Sequence, residues 1–172
     1  MKHLSIIILF LIFCLSGKSQ NVKWLAELDL NLMQSSWINS KANKSIEGNP
    51  LKVAGTSFQR GVGTHATSLM MVNLNDNAQF FKAQVGVDDE IKANVAALEF
   101  VVMGDKKVLW RSGVMKKGDA PKDCNVSLNG IKKLALVVLD LGDNNSDHAD
   151  WLNAQIGYKE ISPVAIPMAE AG

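Results

Sequence analysis

Two short segments carry His65 and His148: Gly61-Val62-Gly63-Thr64-His65-Ala66 and Asp147-His148-Ala149-Asp150-Trp151. The only other histidine is His3, at the extreme N-terminus. Imidazoles, carboxylates and indoles gathered in loops suit recognition of a sugar. An aromatic face packs on the apolar C–H surface of a pyranose, while planar polar groups bond its hydroxyls. Trp37, Trp110 and Trp151 are candidate platforms, and His65, Asp88, Asp89, His148 and Asp150 are candidate hydrogen-bonding partners. Each residue type also has a purely structural use. A Trp in a small sandwich is often core, an Asp often caps a turn, and a buried His is often satisfied by its neighbours.

Other chemistries fit less well. The chain has no His-Glu-x-x-His and no paired Cys in a zinc spacing. Asp, Asn and backbone carbonyls around Asp147 are hard oxygen donors suited to calcium, although the Gly142 to Asp150 stretch is not an EF-hand. Glycoside hydrolysis needs two carboxylates about 5 to 9.5 Å apart across a cleft. Asp88, Asp89, Asp147 and Asp150 would supply carboxylates, but one small sandwich rarely encloses a sugar. No Gly-x-Ser-x-Gly elbow is present either. The residues favour binding over catalysis.

The elements that must position these residues are short strands. Leu69–Leu74, Phe80–Val87, Leu98–Met103, Leu134–Leu139 and Leu152–Tyr158 are apolar-rich runs bounded by turn residues. Gly104-Asp105, before Val108-Leu109-Trp110, reads as a hairpin turn. One short helix is expected near Val22–Leu28 or Leu32–Ser36. Many short strands at this spacing predict an all-β antiparallel sandwich or barrel. If Leu69–Leu74 and Phe80–Val87 form a hairpin across Asn75-Asp76-Asn77, His65 and Asp88-Asp89 share one rim. The paired glycines Gly61 and Gly63 point to an unusual backbone path or a close approach by another group.

The ends of the chain differ from its middle. Met1-Lys2-His3, the apolar run Leu4–Leu15 and the small and polar residues Ser16–Gln20 have the layout of a secretory signal peptide over 1–20. The run is shorter than the roughly 20 apolar residues that span a bilayer. Its removal predicts a secreted or periplasmic domain over 22–160 with no membrane span. It takes away Lys2 and Lys18, leaving 16 basic and 17 acidic side chains. A near-neutral domain argues against nucleic acid or an anionic membrane as partner. Cys124 remains alone, so no intrachain disulfide forms. Residues 161–172, with Pro163 and Pro167, read as an extended tail or the start of a further domain.

Taken in order, six short segments resemble a known family. Trp24-Leu25 leads to Ser45-Ile46-Glu47-Gly48-Asn49-Pro50-Leu51 and then Phe58-Gln59-Arg60-Gly61-Val62-Gly63-Thr64-His65-Ala66. Val85-Gly86-Val87-Asp88-Asp89-Glu90, Trp110-Arg111-Ser112-Gly113 and Asp147-His148-Ala149-Asp150-Trp151 follow. Together they resemble the NPCBM domain, the "novel putative carbohydrate binding module", also called carbohydrate-binding module family 51. The resemblance covers about residues 24 to 158. It implies a galactose-binding-like jelly roll that recognises galactose-bearing glycans, with a bound calcium known in the family. Such modules are usually appended to glycoside hydrolases, so the chain would serve a fused or associated enzyme or be the N-terminal piece of an α-galactosidase-like hydrolase. A sandwich that only docks on a partner protein is the remaining alternative.

Overall fold

The structure, a computed structural model, describes residues 20–92, 97–142 and 146–170. The signal-peptide reading and Asp143, Asn144 and Asn145 of the Asp-rich loop lie outside these residues, apart from Gln20. Two antiparallel sheets face each other. In the first, the strands run in the order Lys122–Ser127, Ala78–Val87, His148–Tyr158, Gly61–His65 and Lys41–Ala42, with Asn21–Trp24 also paired to His148–Tyr158. The second has the order Lys107–Arg111, Leu98–Gly104, Lys133–Asp140, Ser68–Asn73 and Val164–Ile166, with Gln34–Ser35 also on Ser68–Asn73. A small hairpin pairs Lys52–Val53 with Thr56–Ser57. The all-β sandwich expected from the strand pattern is therefore the observed architecture.

Alternation explains the core. Along Ser68–Asn73 every second residue is buried, and Met70 and Val72 face Leu134, Leu136 and Val138 of the neighbouring strand. Trp151 meets Phe100 edge-on across the sheet gap at 5.0 Å, and Phe81 of its own sheet at 6.0 Å, between ring centroids. Phe100 belongs to the second sheet and Trp151 to the first, so this contact clamps the sandwich. Trp151 has no exposed surface. Its role as a sugar platform is corrected here: it is the centre of the core. Trp110 is also half-buried and packs against that core.

Four further expectations change. Leu69–Leu74 and Phe80–Val87 are not a hairpin, because Ser68–Asn73 lies in the second sheet and Ala78–Val87 in the first. The turn at Asn75 and Asp76, both at positive φ, carries the chain across the sandwich. The hairpin after Leu98–Gly104 is real, but its two turn residues are Asp105 and Lys106, both at positive φ, closed by the Gly104–Lys107 pair. Asp105 is fixed there by accepting from the Lys132 and Lys133 amides. In the tail, Val164–Ile166 forms an edge strand on Ser68–Asn73. The helical expectation near Val22–Leu28 resolves into a strand, Asn21–Trp24, and two 3-10 turns, Leu25–Glu27 and Leu30–Leu32.

Gly61–His65 is a fully buried strand that its glycines obscure in the sequence. A Cβ on Gly61 would lie 2.6 Å from the Trp151 carbonyl oxygen, and one on Gly63 would lie 2.4 Å from that of Lys44. The close approach inferred from the paired glycines is thus a backbone crossing the outward face of the first sheet.

Candidate functional site

His148–Tyr158 is the strand that unites the two histidine segments. It pairs His148 with His65 on one side, and on the other its His148 carbonyl accepts from the Asp88 amide at 3.0 Å. His65, His148 and Asp88-Asp89 therefore share one rim. The shared rim for His65 and the aspartates comes from this intervening strand and not from a hairpin.

Trp37 completes the rim. The stretch between Gln34–Ser35, in the second sheet, and Lys41–Ala42, in the first, crosses from one sheet to the other. Its hydroxyls pin it at both ends. Ser36 Oγ donates to the Ala66 carbonyl at 2.5 Å and lies 2.9 Å from His65 Nδ1, while Ser40 Oγ donates to Thr64 Oγ1 at 2.8 Å. Between these anchors Trp37 stays 53% exposed. Its ring stacks on His148 (5.6 Å, 24°) and meets His65 edge-on (5.6 Å, 69°), and the two imidazoles are 5.5 Å apart. One indole face is held by imidazoles, which leaves a large apolar surface open at the rim.

The two histidines are anchored through Nδ1. His65 Nδ1 is 2.7 Å from the Ala66 carbonyl, which can only accept, so this nitrogen carries the proton. Burial lowers the His65 pKa, only partly offset by that carbonyl, and the nearby His148 lowers it further. His148 Nδ1 is 2.8 Å from Glu90 Oε1. Glu90 was not singled out from the sequence as a binding residue, although it ends the Asp88-Asp89-Glu90 run. Its other oxygen accepts from the Ser45 hydroxyl and from Asn49 Nδ2 at 2.9 Å, and the Glu47 amide approaches Oε1 at 3.3 Å. Burial alone would raise its pKa, but the bonds from His148, Ser45, Asn49 and Glu47 overcome this and hold it near 2. Neither Nε2 has a hydrogen-bond partner among the described residues, and neither is a sealed, unsatisfied atom. Both remain available as acceptors.

The aspartates lie deeper. Asp88 is 1% exposed, and its oxygens accept from the Lys52 and Glu90 amides at 3.1 and 2.7 Å. Asp89 accepts from the Ala54 and Gly55 amides at 3.0 and 2.8 Å, holding the Lys52–Ser57 hairpin against the sheet. Both serve the loops rather than the open rim. Asp150 is wholly buried, and no amide or hydroxyl among the described residues donates to its oxygens; its side-chain partner is the Asp88 carboxyl. Burial first, then the hydrogen bond with Asp88, then the charges of Asp88, Glu90 and Asp89, push its pKa well above the usual carboxylate range. It lies between Gly63 and Gly86 in register, under the Lys44–Ile46 backbone and Val53. As a sugar contact Asp150 is corrected: it is sealed below the rim. Asp147 is buried too, and no group of three or more His, Cys, Asp or Glu that could hold a metal occurs among the described residues. Cys124 is buried, and desolvation pushes its thiol up to about 12.

An exposed indole beside two acceptor imidazoles, on carboxylates already spent on backbone amides, is a surface for binding a polyol. The sandwich and this rim define a non-catalytic carbohydrate-binding module. The chain belongs to the NPCBM/NEW2 domain family, whose profile matches residues 21–157. It is similar to "Alpha-1,3-galactosidase B" of Akkermansia muciniphila, with 33% identity over 118 residues. That match covers 66% of this chain and only 15% of the relative. The fold is similar to that of CBM51 from Clostridium perfringens GH95, solved in complex with methyl-galactose. There the TM-score is 0.73 at 30% identity, covering 79% of this chain and 99% of the other. CBM51-2 of Clostridium perfringens ZmpB, solved with its INT domains in complex with GlcNAc, also gives a TM-score of 0.73. Its identity is 25%, covering 80% of this chain and 32% of the other. No helix among the described residues is long and apolar enough to cross a membrane.

Proposed function

We propose that the module binds a terminal galactose-type residue at the rim formed by Trp37, His65 and His148. The observation that carries this reading is the 53% exposed Trp37 packed against both histidines. The axial 4-hydroxyl of galactose leaves one ring face as a continuous C–H patch, which suits a single indole, and neighbouring hydroxyls can donate to the two Nε2 atoms. The methyl-galactose bound by the similar Clostridium module supports the choice of sugar. The GlcNAc bound by the second module supports an N-acetylated hexose as the alternative.

Calorimetric titration of the folded protein with methyl-galactoside, GlcNAc and glucose is the test. Weak binding of methyl-galactoside, lost in W37A, supports the proposal. Binding of GlcNAc alone selects the alternative, and absence of binding to any galactoside or hexosamine overturns both.

Three wider readings belong to the same proposal. The Met1–Gln20 pattern supports export, which N-terminal sequencing of the extracellular protein would check. The small share of the galactosidase that this chain matches supports work as an appended module that keeps a glycoside hydrolase near its glycan. A calcium near Asp147 would draw on backbone and amide oxygens as well as that carboxylate. A melting temperature raised by calcium and restored by EGTA supports such an ion, and an unchanged one sinks it.

A further inference from the structure

Glu90 touches the rim only from behind, yet it decides what the rim can recognise. We propose that Glu90 is a positioning residue: by holding the proton of His148 on Nδ1 it makes Nε2 an acceptor, so that His148 and His65 together select sugars offering two hydroxyl donors. This deepens the sugar-binding reading and rests on it.

The polarity follows from counting donors. Glu90 Oε2 receives the Ser45 hydroxyl and the Asn49 amide, and Oε1 receives the Glu47 amide and faces His148 Nδ1. A carboxylate can only accept, so His148 must donate through Nδ1. His65 is fixed in the same sense by the Ala66 carbonyl. Two imidazoles 5.5 Å apart thus offer acceptors of one polarity. The Ser45–Asn49 turn takes part in this arrangement. The Asn49 backbone N–H donates to Ser45 Oγ at 3.0 Å, so the hydroxyl proton is directed to Glu90.

Glu90→Gln reverses the polarity at nearly constant shape. Ser45 and Asn49 Nδ2 donate at closer range to Oε2 than the Glu47 amide does to Oε1 at 3.3 Å, so the side-chain carbonyl stays at the Oε2 position. The amide NH2 then takes the Oε1 position, gives up the Glu47 contact and donates to His148 Nδ1, which drives the imidazole proton to Nε2. The rim then presents one donor and one acceptor where it had two acceptors.

The experiment has two arms on the full chain at pH 8, above the ordinary imidazole range. Long-range 15N–1H spectra assign the tautomers, and calorimetry measures methyl-galactoside binding by the wild type and E90Q. In the wild type we expect His148 to be protonated on Nδ1, a result that requires no variant. E90Q is expected to move that proton to Nε2, leave His65 unchanged and weaken binding roughly 10- to 100-fold. Wild-type His148 protonated on Nε2 overturns the proposal. So does an E90Q protein of unchanged affinity in which the tautomer has flipped. A wild type that binds no sugar, with His148 on Nδ1, instead refutes the sugar-binding reading while the polarity set by Glu90 stands.

Discussion

The open rim and the packed layer beneath it are built from the same residue types and do opposite things. At the rim, Trp37 is half in solvent and the histidines keep one nitrogen free. Below it, Trp151 is wholly buried and Asp150 is sealed under the Lys44–Ile46 backbone. His148, Asp150 and Trp151 are neighbours in one strand, separated by the pleat and by what covers each face. The lesson is that an indole or a carboxylate becomes a binding group only where the chain leaves it uncovered. A sealed one becomes a structural element or a source of strain.

The sharpest way to break this comparison is Trp151→Ala. Removing the ring between Phe81 and Phe100 should cost about 3–5 kcal/mol in chemical denaturation. A loss of sugar binding with stability intact would place Trp151 at the rim after all. Gly63→Ala comes next. Its Cβ would lie 2.4 Å from a carbonyl oxygen and under 3 Å from two further backbone atoms, so a loss on the order of 1–3 kcal/mol is expected.

Asp150→Asn tests the packed layer by sign. The folded-state pKa of Asp150 is raised, so its contribution is fully present below the unfolded value near 3.8 and is lost as pH rises through the folded value. Urea melts of D150N and wild type should therefore diverge as pH climbs from 4 to 8, with the variant gaining roughly 1–2 kcal/mol. A constant difference across that range would remove the buried Asp150 carboxyl from the account. Glu90 has the opposite sign. Its depressed pKa contributes stability above about 4.5 that is lost as pH falls toward 2, and E90Q should flatten this acid limb. Trp37→Ala should have the smallest stability effect, within about 0.5 kcal/mol, while abolishing sugar binding. A large drop in melting temperature would make Trp37 a structural cap.

Much of the fold was legible because alternation is local. Ser68–Asn73 and Lys133–Asp140 bury every second residue, and each strand predicted there was found within a residue at each end. Gly61–His65 was read only as a close approach because glycine carries no hydrophobic signal, and its burial depends on Lys44–Ile46 crossing above it. The site was legible as a set of residues and not as a geometry. His65 and His148 stand out by residue type, whereas the burial of Trp151 and Asp150 has no local signal, because density of residue types in a motif says nothing about which face is covered. Glu90 was visible only as the third acid of a run.

The amino-acid sequence by itself determined the all-β class, the near-neutral charge and the two histidine segments. Those properties reside in composition, alternation and spacing. Only the tertiary structure decided that His65 and His148 are partners, that Trp37 is the open indole and that Glu90 stands behind the rim. Each of these depends on strand order and on a loop crossing between sheets. Such long-range pairings, with His65 and His148 83 positions apart, are chosen by packing of the whole sandwich and leave no trace in any short stretch of chain.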